Sequence, residues 1–111
     1  MAKTFNVELL LHEAPGDAQA RAAATLTEPA RAIGLHLKTR ATGELDYRPR
    51  IKYPLLMTLW HNLEGEKMTV TFEPDDGKGT HVTISGVVAG GKHAMAADPE
   101  HWSEALGGSP T

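Results

Sequence analysis

Three segments of this chain alternate apolar and polar residues with a period of two. Their apolar members are Phe5, Val7, Leu9 and Leu11, then Met68, Val70 and Phe72, and then Val82, Ile84 and Val88. Successive side chains of a strand point to opposite faces, so each segment is typical of a strand with one buried face. Such a face has to be covered, which predicts a sheet with helices on one side. Gly86, inside the last strand, predicts a bulge or the close approach of another element.

The stretch from Leu37 to Tyr47 predicts a hairpin whose register follows from charge. With a three-residue loop over 41–43, Gly43 takes the left-handed conformation that such loops favour. The cross-strand pairs are then Arg40 with Glu44, Lys38 with Asp46, Leu37 with Tyr47 and Thr39 with Leu45. A shift by one residue would set Leu37 opposite Arg48, so we expect the first register.

A second hairpin is predicted around residues 74–79, PDDGKG, which are dense in turn-forming residues. A phosphate-binding glycine loop would instead have to lead into a helix. Here the strand THVTIS follows, so the segment is interpreted as a hairpin turn.

An alanine-rich segment follows the first strand and predicts a helix. Asp17 suits its N-cap, with Ala18 as the first helical residue. Pro29 removes a backbone hydrogen bond, so we expect a break there, with Thr27 capping a second short turn. Gly34 suits the position just past the end.

Residues 53–65, YPLLMTLWHNLEG, form the most apolar stretch and predict a short amphipathic helix over 54–64. Its apolar stripe consists of Leu55, Leu56, Leu59, Trp60 and Leu63. A helix of this length is unstable alone, so we expect it to pack on the sheet of its own domain. A dimer contact, one wall of an apolar ligand pocket, and a position on a membrane surface are the alternatives.

The C-terminal part predicts one more helix and completes the fold class. Asp98 and Pro99 suit its N-cap and first residue, and its buried side consists of Trp102, Ala105 and Leu106. The predicted order is β-α-β-β-α-β-β-α, an α+β two-layer domain with a mostly antiparallel sheet and helices on one face. We expect a single domain over 1–106 and a flexible end at 107–111.

Composition excludes several classes of protein and partner. The net charge of −3 argues against a nucleic-acid binder, and the absence of cysteine excludes disulfides and thiol chemistry. No apolar stretch approaches the roughly 20 residues of a membrane-spanning helix. The N-terminus lacks the uninterrupted apolar region of a secretory signal, so a cytoplasmic location is expected.

Three segments resemble the SRPBCC or START-like helix-grip proteins. They are EAPGDAQARAAATLTEP after the first strand, the hairpin MTVTFEPDDGKGTHVTISG, and EHWSEALG near the end. The chain is shorter than is usual in that group, and its last helix is shorter. It is equally similar to small uncharacterised bacterial β-α-β-β-β-β-α proteins. The first resemblance implies an apolar cavity between sheet and helix but no particular reaction and no catalytic residue.

Two groups of polar residues were considered for chemistry. His93, Asp98 and His101 have a spacing that a metal site can use, but zinc needs three or four converging ligands, and exposed polar groups near a helix cap are the simpler interpretation. His12 and Glu13 suit an acid–base pair, but no nucleophile accompanies them. We therefore expect no metal, no cofactor and no catalytic residue.

The favoured function is non-enzymatic binding of an apolar or amphipathic small molecule or lipid, or formation of a homodimer. The alternatives are a small enzyme using histidine or carboxylate chemistry in the same cavity, and a structural subunit of a larger assembly. The candidate ligand-binding or interface residues are Leu55, Leu56, Leu59, Trp60, Phe72 and Trp102. A basic patch for an anionic ligand or acidic partner consists of Lys38, Arg40, Arg48, Arg50 and Lys52.

Overall fold

The structure, a computed structural model, describes residues 2–49, 66–77 and 79–110. The strands in these ranges are β1 (Ala2–Leu11), β2 (Leu35–Ala41), β3 (Glu44–Pro49), β4 (Lys67–Pro74), β5 (Thr80–Ala89) and β6 (Ser109–Pro110). The helices are α1 (Pro15–Thr25), α2 (Thr27–Ala32), α3 (Gly90–Ala96) and α4 (Pro99–Leu106). The strands form one sheet in the order β2-β3-β4-β5-β1-β6, and every neighbouring pair is antiparallel.

The predicted α+β two-layer class is confirmed, and so is the alternation of the three strands. Phe5, Val7, Leu9 and Leu11 of β1 are all buried, and the apolar residues of β4 and β5 are buried opposite them. Helices α1 and α2 cover the β2–β3–β4 part of this face, and α3 and α4 cover β1 and β5. The other face of the sheet, here called the open face, carries largely Thr, Ser, Asn and Glu, and its described residues are partly or fully exposed.

The sheet is tightest between β4 and β5, where Gly86 lies. A Cβ added to Gly86 would stand 2.0 Å from the carbonyl oxygen of Lys67, so only glycine fits there. The prediction of a close approach at this residue is therefore confirmed.

The predicted register of the β2–β3 hairpin is wrong beyond Leu37. Leu37 does pair with Tyr47, but a bulge at Lys38 then sets Thr39 opposite Asp46 and Arg40 opposite Leu45. The loop contains two residues, Thr42 and Gly43, and not three. Exposed charge pairs are worth too little to set a register, which is why the charge argument failed.

Contacts from outside the hairpin hold the observed turn. The side-chain amide of Gln19 on α1 donates to the carbonyl of Ala41 at 2.7 Å, and its oxygen accepts from the N–H of Gly43 at 2.8 Å. The N–H of Phe72 on β4 donates to the carbonyl of Gly43 at 2.9 Å. These partners are distant in sequence, so the hairpin segment alone does not reveal them.

The first helix begins and breaks at other residues than predicted. It starts at Pro15, with Ala14 as N-cap, so Asp17 lies in the first turn and is not the cap. Proline at the first position loses no hydrogen bond, which explains the earlier start. The break falls at Leu26 and not at Pro29, which lies within the short α2. Gly34 follows α2 with a φ of 77°, as its end position predicts.

The C-terminal part contains one helix and one strand that the sequence did not predict. Residues 90–96 form α3, whose N-cap N–H at Ala89 donates to buried Glu66 at 3.0 Å. Ser109 and Pro110 pair with β1, which the expectation of a flexible end at 107–111 did not anticipate. The prediction for α4 is confirmed, because Asp98 accepts a hydrogen bond from the N–H of Glu100 at 3.0 Å.

The helix predicted at 54–64 lies outside the described residues, together with Leu55, Leu56, Leu59 and Trp60. The same holds for Arg50 and Lys52 of the basic patch. Within the described part of the chain, no helix is long and apolar enough to cross a membrane.

Candidate functional site

The two described members of the predicted ligand-binding set are core side chains. Trp102 on α4 is fully buried, and its indole N–H donates to the carbonyl of Ala96 at 2.8 Å. Phe72 on β4 is 5% exposed and belongs to the same core cluster. Neither residue lines the two clefts described below.

The basic patch does not form a single surface in the described residues. Arg48 lies on the open face of the sheet, where its Nε donates to Asp46 Oδ2 at 3.2 Å. Arg40 pairs with Leu45, a buried residue, so it belongs to the helix-covered face. Lys38 occupies the bulge between these two arrangements. The structure thus separates three cations that alternation in a regular strand had placed on one face.

The side chains of the candidate metal ligands form hydrogen bonds with backbone groups of the protein. The Nε2 atoms of His93 and His101 lie 2.8 Å and 3.1 Å from the carbonyl oxygens of Thr4 and Pro29. Asp98 caps α4. Among residues 2–49, 66–77 and 79–110, no three His, Cys, Asp or Glu side chains come together as a metal site would require.

The candidate acid–base pair at the end of β1 is also engaged in structural contacts. Arg21 forms a salt bridge with the carboxylate of Glu13, and the hydroxyl of Thr80 donates to the Glu13 carbonyl at 2.7 Å. His12 is exposed. Glu13 therefore joins α1 and β5 to the loop after β1.

A cleft of about 280 Å³ opens between the two N-terminal helices and the β2–β3 hairpin. The helices contribute Ala23, Thr27 and Ala30, which are small and leave the space open. The strands contribute Leu35, His36, Leu37, Arg40 and Tyr47. Half of these lining residues are apolar and half are polar, so the cleft suits a ligand that has both kinds of surface.

The bulge at Lys38 brings a charge to this cleft. In an unbroken strand Arg40 would share a face with Lys38 and point away from the helices. The extra residue reverses the alternation, so Arg40 follows Leu37 onto the helix side while remaining exposed. Arg40 therefore lies on the helix side of the hairpin, among the residues that line the cleft.

Tyr47 also lines the cleft, and its hydroxyl is a buried polar group without a described partner. Only 1% of this residue is exposed, and its hydroxyl has no hydrogen-bond partner among the described residues. Burial raises the pKa of Tyr47 to about 12, and the charge of Arg40 lowers it slightly against that effect. The hydroxyl is therefore neutral at physiological pH and has a proton to donate.

The sequence pattern predicts that Tyr47 lies on the buried face of the hairpin, but it does not predict that Arg40 lies there too. The hairpin pattern placed Tyr47 opposite Leu37 on the buried face, and a phenol there needs a partner for its hydroxyl. Arg40 was assigned to the outer face because no sequence pattern marked the bulge.

A second cleft, of about 220 Å³, lies on the open face of the sheet. It is lined by Thr39, Ala41, Glu44, Asp46, Arg48 and Thr69. It contains the Asp46–Arg48 ion pair and a further carboxylate, Glu44, and Ala41 is its one aliphatic lining residue among those described. It offers less to a ligand than the cleft at Tyr47.

Comparison with known proteins adds no relative: neither a scan against protein-family models nor a search of curated proteins gives a match for this chain. The resemblance to helix-grip proteins therefore stays a prediction. The functional argument rests on the geometry of the two clefts.

Proposed function

We propose that this domain binds a small amphipathic molecule in the cleft between α1, α2 and the β2–β3 hairpin. The observation that carries this proposal is Tyr47, which lines the cleft and whose fully buried hydroxyl has no partner among the described residues. Leaving a buried polar group unpaired costs about 1–3 kcal/mol, so such groups in native proteins usually have a reason. A bound ligand that accepts the hydroxyl proton provides one.

The size and walls of the cleft define the ligand class. A volume of about 280 Å³ suits a molecule with a short apolar chain or a single ring. Leu35, Leu37 and the alanines of the helices contact the apolar part. The polar end of the ligand then lies toward Tyr47 and Arg40.

Binding has more support than catalysis in this cleft. The described lining residues include His36 but no Asp, Glu or Cys, so no carboxylate or thiol accompanies the imidazole. The alternative pair, His12 and Glu13, lies in the loop after β1, where Arg21 already neutralises Glu13.

Self-association and membership of a larger assembly stay predictions. The residues predicted for that contact, Trp60 above all, lie outside the described part of the chain. Along the exposed edge of β2, the bulge and Lys38 disfavour pairing with another strand.

The test reduces the space in the cleft by enlarging a side chain of α1 and measures the effect on ligand binding. Ala23 lines the cleft and the next residue, Ala24, is exposed and does not, so Ala23→Leu and Ala24→Leu form a matched pair. Octanoate and octanamide are titrated into ¹⁵N-labelled protein. Saturable shifts of the amide signals of β2 and β3 are expected in the wild type and in Ala24→Leu, and Ala23→Leu should weaken binding at least about tenfold because leucine occupies the space.

Absence of saturable shifts with both probes in the wild type would reject the proposal. Equal binding by Ala23→Leu and Ala24→Leu would place the ligand elsewhere. Unfolding curves of both variants show whether either substitution has perturbed the fold.

A further inference from the structure

We infer that the ligand of this cleft carries a carboxylate, which the hydroxyl of Tyr47 and the guanidinium of Arg40 hold from two sides. The inference rests on the proposed function and specifies its ligand class. It follows from two polar groups on one face of the hairpin: strand alternation places Tyr47 there, and the bulge places Arg40 there.

Arg40 supplies the charge that an acid requires. It pairs with Leu45 on the cleft side of the hairpin, and it makes no salt bridge with any described residue. Its planar guanidinium matches the two oxygens of a carboxylate. Because Arg40 is exposed, its contribution to affinity is modest and sensitive to salt.

Tyr47 supplies the hydrogen bond. Its phenol remains protonated at physiological pH, since burial outweighs the opposing effect of Arg40 on its pKa. A neutral O–H that donates to a carboxylate oxygen forms a charge-assisted bond, about twice as strong as a bond between neutral groups. The buried tyrosine therefore favours an anionic acceptor over an amide or an alcohol.

The charge balance favours a carboxylate over a phosphate monoester. Arg40 is the only Lys or Arg among the described residues that line the cleft. One guanidinium balances a carboxylate with its single charge. A phosphate monoester carries between one and two negative charges at neutral pH and would leave part of its charge uncompensated.

The experiment compares three probes on one apolar chain: octanoate, octanamide and octyl phosphate. Arg40→Gln is the test variant, and Lys38→Gln is its control, because Lys38 carries the same charge two residues away and does not line the cleft. Dissociation constants are measured from amide shifts at low and at high sodium chloride concentration.

The wild type should bind octanoate about tenfold more tightly than octanamide. Arg40→Gln should weaken octanoate binding about threefold to fivefold and remove most of its salt dependence, while octanamide binding changes little. Lys38→Gln should leave all dissociation constants nearly unchanged.

Each adverse outcome has a separate meaning. Octanamide binding as tightly as octanoate overturns the carboxylate inference and leaves the proposed function standing. Tighter binding of octyl phosphate, or equal effects of Arg40→Gln and Lys38→Gln, also overturns it. Absence of binding by all three probes rejects the proposed function itself.

Discussion

Two buried aromatic residues that each carry a hydrogen-bond donor lie in different parts of one core, and only one of the two donors has a described partner. Trp102, beneath β1 and β5, is fully buried and donates its N–H to Ala96. Tyr47, beneath α2 and the hairpin, is almost as buried, yet its hydroxyl lacks a described partner. The part of the core around Trp102 is complete within the fold, and on our proposal the part around Tyr47 is completed by a ligand.

The strand pairs show the same contrast. β1 and β5 pair without interruption over ten residues, from Ala2 with Ala89 to Leu11 with Thr80. β2 and β3 are shorter and are interrupted by the bulge at Lys38. Regular pairing stabilises the first half, and the irregular pairing of the second places a charge beside a cleft. On our proposal, the β1–β5 part of the sheet stabilises the fold and the β2–β3 part binds the ligand.

The largest expected effect is on the free energy of unfolding, when leucine is changed to alanine once in β1 and once in β2. Leu9 on β1 is fully buried, so Leu9→Ala should lower the free energy of unfolding by about 3 kcal/mol. Leu37 is partly buried at the edge of the cleft, so Leu37→Ala should cost about 1 kcal/mol. Urea unfolding measures both values. Similar losses would mean that the hairpin half is packed as tightly as the β1–β5 half.

A second pair of variants removes the indole N–H of Trp102 and the hydroxyl of Tyr47. Trp102→Phe deletes the bond to Ala96 and leaves a cavity, and it should lower the unfolding free energy by about 2 kcal/mol. Tyr47→Phe removes only an unpaired hydroxyl, and it should be neutral or stabilising by up to about 1 kcal/mol. Thermal unfolding with no ligand present compares them. A destabilised Tyr47→Phe would show that the hydroxyl has a partner within the protein.

A third comparison concerns alkaline pH. The pKa of Tyr47 is raised from 10.0 to about 12, so the folded state keeps the phenol protonated where the unfolded state loses the proton. This contribution to stability is complete below pH 10 and is lost as the pH rises through about 12. Over that range the unfolding free energy should fall by up to about 1.4 kcal/mol per pH unit from this group.

Tyr47→Phe should remove this part of the alkaline loss. The chain contains one other tyrosine, Tyr53. The ultraviolet tyrosinate signal of the wild type minus that of the variant therefore reports the titration of Tyr47. A difference signal with a midpoint near pH 10 would contradict the buried environment.

The sequence predicted most of the sheet because burial alternates strictly along its strands. Leu9, Val70 and Ile84 reveal their face without any knowledge of their neighbours. Gln19 and Phe72 hold the two-residue turn that accompanies the bulge at Lys38, and because they belong to other elements the hairpin segment alone does not reveal it. The candidate site was missed for the same reason, since Arg40 enters the cleft only because of that bulge. Helix α3 was missed because its first two residues, Gly90 and Gly91, indicate a loop.

The central claim is that the hydroxyl of Tyr47 serves a ligand and not the fold. The most direct test is the octanoate dissociation constant of Tyr47→Phe relative to that of the wild type, measured from amide shifts. A rise of about tenfold is predicted, because the charge-assisted hydrogen bond is lost while the apolar walls remain. An unchanged dissociation constant would contradict the claim.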